Sequence, residues 1–244
     1  MNGRIMLLSL ISAFLLFALV VGASAQTRTV GVSVGNKFRY SPTVNWSSTD
    51  PNATLPSFLV DANNSQWAEF TITAVSGTNI TIQGTTHYKN GTEVTMGGWV
   101  DVDTGIGDNI TTLLISANLA KGDSIYNSSQ YTTTTINETS SRTYTSGPRD
   151  TNHLSLTASG QGQTANTNYY WDKSTGVFVE VLRDYTNQTG GYTTFWSEDI
   201  QIVSSDLWIV PEFPTWTSTL LIFIALTSAT MVIARQKQPK RPFR

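Results

Sequence analysis

Trp67-Ala68-Glu69-Phe70-Thr71-Ile72-Thr73-Ala74-Val75, followed at once by Ser76-Gly77-Thr78, decides the fold class. Along an extended chain Ala68, Phe70, Ile72 and Ala74 point to one side while Glu69, Thr71 and Thr73 point to the other, the period of a strand with one face buried. The small polar residues that follow predict a hairpin turn. The alternation recurs where Val94, Met96, Val100 and Val102 oppose Thr95, Trp99 and Asp101, at Leu154 and Leu156, and through Tyr192, Thr194, Trp196, Ile200 and Ile202. Val177 to Leu182 is apolar on both faces except at Glu180, as expected of a strand inside a sheet. No stretch between these runs shows helical periodicity of useful length.

Two further turns carry their own chemistry. Asn90-Gly91 predicts a two-residue type I′ hairpin, which needs positive φ at both positions. Asp172-Lys173-Ser174-Thr175-Gly176 predicts a longer hairpin loop with glycine at the left-handed position. Gln130 to Ser141, with threonine at 132–135, reads as an exposed edge strand or loop. The expectation is an all-β body: a single antiparallel sheet of roughly 8–10 strands, curled into a half-barrel or barrel-like sandwich to hide its apolar face.

The ends of the 244-residue chain differ from this body. Arg4, the apolar run Ile5 to Val21 and the small-residue site Ala23-Ser24-Ala25 predict a secretory signal peptide over 1–25, cleaved after Ala25; an uncleaved anchor is the alternative reading. Trp216 to Ala234 carries no charge, and as a helix its 19 residues would cover roughly 28 Å, enough to span a membrane. Arg235, Lys237, Lys240, Arg241 and Arg244 follow immediately, so the tail 235–244 is expected in the cytoplasm. A buried core helix is the competing reading of 216–234. The extracellular β domain would then occupy 26–209 and a proline-rich stalk 210–215, giving a single-pass cell-surface protein with its N-terminus outside.

Charge supports that division. Residues 26–214 hold 17 acidic and nine basic side chains, a net of −8, which disfavours nucleic acid as a partner. Cysteine is absent, excluding disulfides and thiol chemistry. The Asn-x-Ser/Thr sequon occurs nine times, at Asn45, Asn52, Asn63, Asn79, Asn90, Asn109, Asn127, Asn137 and Asn187. Composition alone would give about 4, so glycosylation of an extracellular body is expected.

Catalytic and metal signals are thin. Asp101, Asp103 and Asp108 surround a Gly-containing turn and form a weak calcium candidate, but Thr112 stands where an EF-hand loop needs its bidentate Glu. Asp103-Thr104-Gly105 matches an aspartic-protease triplet, yet no second triplet exists to share its proton. His87 and His153 are the only histidines and share no ligand spacing, and no Gly-x-Ser-x-Gly elbow is present. No cofactor and no enzymatic activity are expected. Trp46, Trp67, Trp99, Trp171, Trp196 and Trp208 serve either as core filling or, where exposed, as sugar-stacking platforms.

Pro211-Glu212-Phe213-Pro214, followed by a tryptophan, a spanning helix and a basic tail, resembles the PEF type of C-terminal sorting signal of archaeal surface proteins. The resemblance implies processing by an archaeosortase-type enzyme that cuts near the motif and transfers the new C-terminus to a lipid. Gly35 to Tyr40, Asn118 to Asp123 and Tyr170 to Gly176 make the body similar to uncharacterised archaeal secreted β proteins and, loosely, to the half-barrels of lipoprotein carriers. These likenesses imply an envelope glycoprotein with a structural or display role. A lipid- or carbohydrate-binding module using the concave face is the alternative.

Overall fold

The computed structural model describes residues 27–108, 110–127 and 134–208. Residues 1–25, expected to be a signal peptide, the Pro211 to Pro214 stretch expected to be a sorting motif, and the apolar segment 216–234 lie outside the described residues. Within them no helix is long and apolar enough to cross a membrane.

The body is all-β. Its strands are β1 (Lys37–Ser48), β2 (Ser65–Ser76), β3 (Asn79–Tyr88), β4 (Glu93–Asp101), β5 (Glu138–Tyr144), β6 (Gly147–Gly160), β7 (Gln163–Asp172), β8 (Phe178–Thr189) and β9 (Tyr192–Ser205). They form one antiparallel sheet in the order β4-β3-β2-β1-β9-β8-β7-β6-β5. Neighbours in space are neighbours in sequence except at the centre, where the first strand pairs with the last from Phe38↔Ser205 to Ser48↔Thr194. The sheet is open, with β4 and β5 at its edges.

Register separates the two faces. Phe38, Tyr40, Phe70, Ile72, Ile80, Ile82, Val100, Val181, Ile200, Ile202 and Trp171 share one face and build the core. The other face carries mostly threonine, serine, asparagine and charge.

That apolar face is wrapped around the β4–β5 connection. Ile110 packs on β4, where a Cβ on Gly98 would stand 2.7 Å from its Cδ1. Two residues on, the Thr112 carbonyl accepts a 2.8 Å hydrogen bond from Trp171 Nε1 on β7. In a flat sheet β4 and β7 would stand roughly 29 Å apart, six spacings of about 4.8 Å, whereas two residues reach no more than about 7 Å. The sheet must therefore curl until its two halves face each other, and the connection plugs the space between them. Leu114, bridged to Val177, and Ile115, Leu119, Ile125 and Ile136 are almost fully buried in that plug. Asn152, 1% exposed, fastens it by donating to the Leu119 carbonyl while accepting from Thr139.

Three local expectations are corrected. A β-bulge between Ile72 and Ala74 breaks the alternation, so Ala74 is exposed and Val75 pairs with Ile80 instead. The Asn90-Gly91 hairpin exists but is not type I′: Gly91 alone has positive φ, at 85°, and Asn90 Oδ1 caps the Thr92 N–H in a four-residue loop. A short helix, α1 (Ser57–Asn64), interrupts the β body. It has no side-chain cap and buries only Leu59, which is why no periodic signal announced it. The other turns behave as their residues dictate. The Asp172 carboxylate accepts from Ser174 Oγ and from both the N–H and Oγ1 of Thr175, and Gly176 (φ 72°) lies so near the Ile115 carbonyl that a Cβ would be 2.0 Å from its oxygen.

Candidate functional site

The plug fills only one end of the curled sheet. Strand β1 begins and β9 ends at that sealed end, where Lys37 and Asp206 are joined through both their backbones and the Asp206 carboxylate. The opposite end is bordered by α1 and by the β3–β4, β6–β7 and β8–β9 turns. Strand β2 pairs with β1 only from Lys37 to Tyr40, so from Pro42 onward β1 has β9 as its sole strand partner, and α1 lies against β1.

Along the inward face of this open end the side chains remain wet. Pro42, Val44, Trp46, Tyr185 and Trp196 are half-buried, while Val94 (50%), Met96 (43%) and Leu156 (47%) are exposed. Trp46, Trp196 and Tyr185 stand opposite one another on successive strands β1, β9 and β8, with Tyr185 stacked on Trp196 at 5.5 Å. From α1, Phe58 meets Trp196 edge-on at 5.4 Å yet is 63% exposed. A cleft of about 580 Å³ opens beside this mouth, between Asn64 at the end of α1 and Tyr88, Lys89, Asn90, Thr92 and Val94.

One ion pair lies on this apolar surface. Arg183 of β8 and Glu198 of β9 are direct cross-strand partners, with Nη1 donating to Oε2 at 2.5 Å. The Glu198 side chain is 7% exposed and that of Arg183 is 36% exposed. Burial pulls the Arg183 pKa down, but the Tyr169 hydroxyl and Glu198 outweigh it and hold the guanidinium above its ordinary range. The indole N–H of Trp46 is buried there without a hydrogen-bond partner.

A second polar cluster occupies the outer face. Glu180, 3% exposed, accepts from Arg142 Nη2 at 2.8 Å and from the Tyr144 hydroxyl at 3.1 Å, and Arg142 lies 4.0 Å over the Tyr170 ring. Burial first and Glu180 second push the Tyr144 pKa far up, so its hydroxyl stays a donor. His153 stacks on Tyr170 and bonds Asn168, while His87 stacks on Trp67 and bonds Glu93. The histidines are thus on different hairpins. Asp199, on the same face, has one buried oxygen without a partner, and burial and Glu180 together raise its pKa.

A carboxyl whose folded pKa exceeds its unfolded value binds its proton more readily in the folded state. Its contribution is therefore lost as pH rises from the unfolded value through the folded one. Asp199→Asn should raise the melting temperature slightly near neutral pH and not at acid pH, a difference that thermal melts across the pH range will read.

The sequence-derived candidates are dispersed. Asp101 accepts the Asp103 and Thr104 N–H groups of its own turn, Asp103 faces the buried Arg28 and bonds Asn127, and Asp108 accepts the Trp99 N–H. No group of three metal-ligating side chains forms among the described residues. Asn45, Asn52, Asn63, Asn90 and Asn137 are exposed. Asn79 is half-buried, as is Asn187, whose register turns it to the inward face opposite Thr194. The Asn127 amide is held between Arg28 and Asp103, and Asn109 lies outside the described residues. Sequence reasoning missed the Arg183–Glu198 pair. Its signal was available: in Val181-Leu182-Arg183-Asp184-Tyr185 and in Trp196-Ser197-Glu198-Asp199-Ile200 a charge replaces the middle inward residue.

No protein-family profile and no curated protein matches the chain. Among solved structures it is similar to the siderocalin Ex-FABP, described as functioning through dual ligand specificities, at TM-score 0.24 and 9% identity over 80% of this chain and 85% of that one. It is also similar to zebrafish ileal bile acid-binding protein in complex with cholic acid, at TM-score 0.17 and 11% identity over 69% of this chain and 98% of that one. Both likenesses are too loose to carry an argument about a ligand.

Proposed function

We propose that the chain is a non-catalytic binding module of the archaeal cell envelope, taking an apolar or amphiphilic small molecule in the open half of its curled sheet. The terminal segments would tether the acidic, glycosylated body at the surface through a spanning helix or, after processing, a lipid. The observation that carries the reading is the unequal filling of the interior. The plug seals one end, while Val94, Met96 and Leu156 on the same inward face remain exposed at the other. Apolar side chains left wet inside a concavity mark a site completed by something else. A sugar platform is less well supported, because Trp46, Trp196 and Tyr185 share their wall with the aliphatic side chains of Pro42, Val44 and Val181.

The test is a titration of the full-length protein in nanodiscs with a short brominated fatty acid, against empty nanodiscs. Saturable quenching of tryptophan fluorescence is expected, weakened at least tenfold by Leu156→Lys at the mouth and unchanged by Val34→Lys, an exposed apolar residue of the sealed end. Equal quenching in both variants, or none above the empty-nanodisc blank, overturns the proposal.

A further inference from the structure

Resting on that reading, we infer that the open half is an anion-selective site, in which Arg183 receives the acidic head group of an amphiphile whose tail lies along the wall formed by Trp46, Trp196 and Leu156. An arginine has little reason to point into an apolar concavity unless something charged meets it. Glu198 is that something in part. It is the more deeply buried partner and is engaged at Nη1, whereas more than a third of the Arg183 side chain stays exposed. A guanidinium presents five N–H donors in a planar fork, so it can keep Glu198 and the Tyr169 hydroxyl and still offer remaining donors to an incoming carboxylate, sulfonate or phosphate.

The two residues differ in what they can do for a ligand. Glu198 is sealed, neutralises the arginine in the empty site and fixes its direction. Arg183 is reachable and accepts no hydrogen bond, so a cationic or donor-only head group has nothing to gain from it. Trp46 adds a second donor. It lies two residues along β1 from Val44, the direct partner of Glu198, and its buried indole N–H has no acceptor. An acidic or hydroxyl oxygen entering beside it would satisfy a donor that the protein leaves unpaired.

The experiment measures calorimetric binding of decanoate, decanol and acetate, each below its aggregation limit, to the full-length protein in nanodiscs with empty nanodiscs subtracted. Decanoate should bind at least tenfold more tightly than decanol, and acetate should not bind. The double variant Arg183→Met/Glu198→Gln, which leaves no buried charge unpaired, should bind both ten-carbon ligands alike. Arg183→Lys should retain part of the preference for the acid. Equal affinity for decanoate and decanol in the unaltered protein, or a preference that survives the double variant, overturns the anion-selective site while leaving an apolar one. Binding of acetate as tight as decanoate shows that the tail has no seat and overturns the amphiphile. Failure of every probe overturns this inference together with the reading on which it rests.

Discussion

Replacing Trp171 by alanine should lower the stability of the folded body by about 4 kcal/mol, in the range for truncating a buried aromatic side chain. Trp171 is 2% exposed, packs beside Tyr169 at 5.6 Å and gives its indole N–H to the Thr112 carbonyl. That bond lies where the plug crosses from β4 to β7. Alanine leaves a cavity and takes the donor from the part-buried Thr112 carbonyl together, and those two costs can be separated. Trp171→Phe keeps most of the volume and loses only the donor, so it should cost about 1 kcal/mol, the net worth of one hydrogen bond. Equilibrium urea unfolding followed by near-ultraviolet circular dichroism gives both values. A loss below about 1 kcal/mol for the alanine variant would mean that the plug does not depend on β7.

Arg142→Ala should be the next most damaging, at about 3 kcal/mol, for a different reason. Glu180 has a side chain only 4% exposed, and Arg142 is its only cationic partner among the described residues. Removing the arginine leaves a buried carboxylate with the Tyr144 hydroxyl alone, and an unpaired buried charge costs far more than its lost partner contributed. Charge and packing can be told apart by adding Glu180→Gln to Arg142→Ala. Glutamine still accepts from Tyr144 but carries no charge, so the double variant should recover more than half of the loss. If the loss persists undiminished, the packing of Arg142 on Tyr170 was the stabilising contact. Arg142 is one-third exposed, so water screens part of the pair and the effect should stay below that of the Trp171 truncation.

Local features were legible where local chemistry decides them. The alternation from Ala68 to Ile72, the glycine turns at Gly77 and Gly176, and the two-sided burial of Val177 to Val181 follow from side-chain period and backbone freedom within a few residues. What could not be read depends on distant partners. Nothing near Phe38 announces Ser205, and nothing in Ile110 to Ile125 says that this connection is the filling of the sheet rather than a loop outside it. The bulge at Ile72/Ala74 escaped because an inserted residue shifts the pattern by one without changing composition. The candidate site was half legible: Arg183 and Glu198 each interrupt an apolar alternation, but only the pairing of β8 with β9 sets them face to face.

The pairing of the first strand with the last also sets an order of assembly. The hairpins β2–β3–β4 and β5–β6–β7–β8 close over short turns and can form as soon as their residues emerge. Strand β1 cannot complete its pairing until β9 has been made, because Phe38 and its partner Ser205 are 167 residues apart. The centre of the sheet is thus the last part to form. Until then both halves wait with an uncovered edge, and the apolar face that will hold the plug stays unshielded until synthesis reaches Ser205.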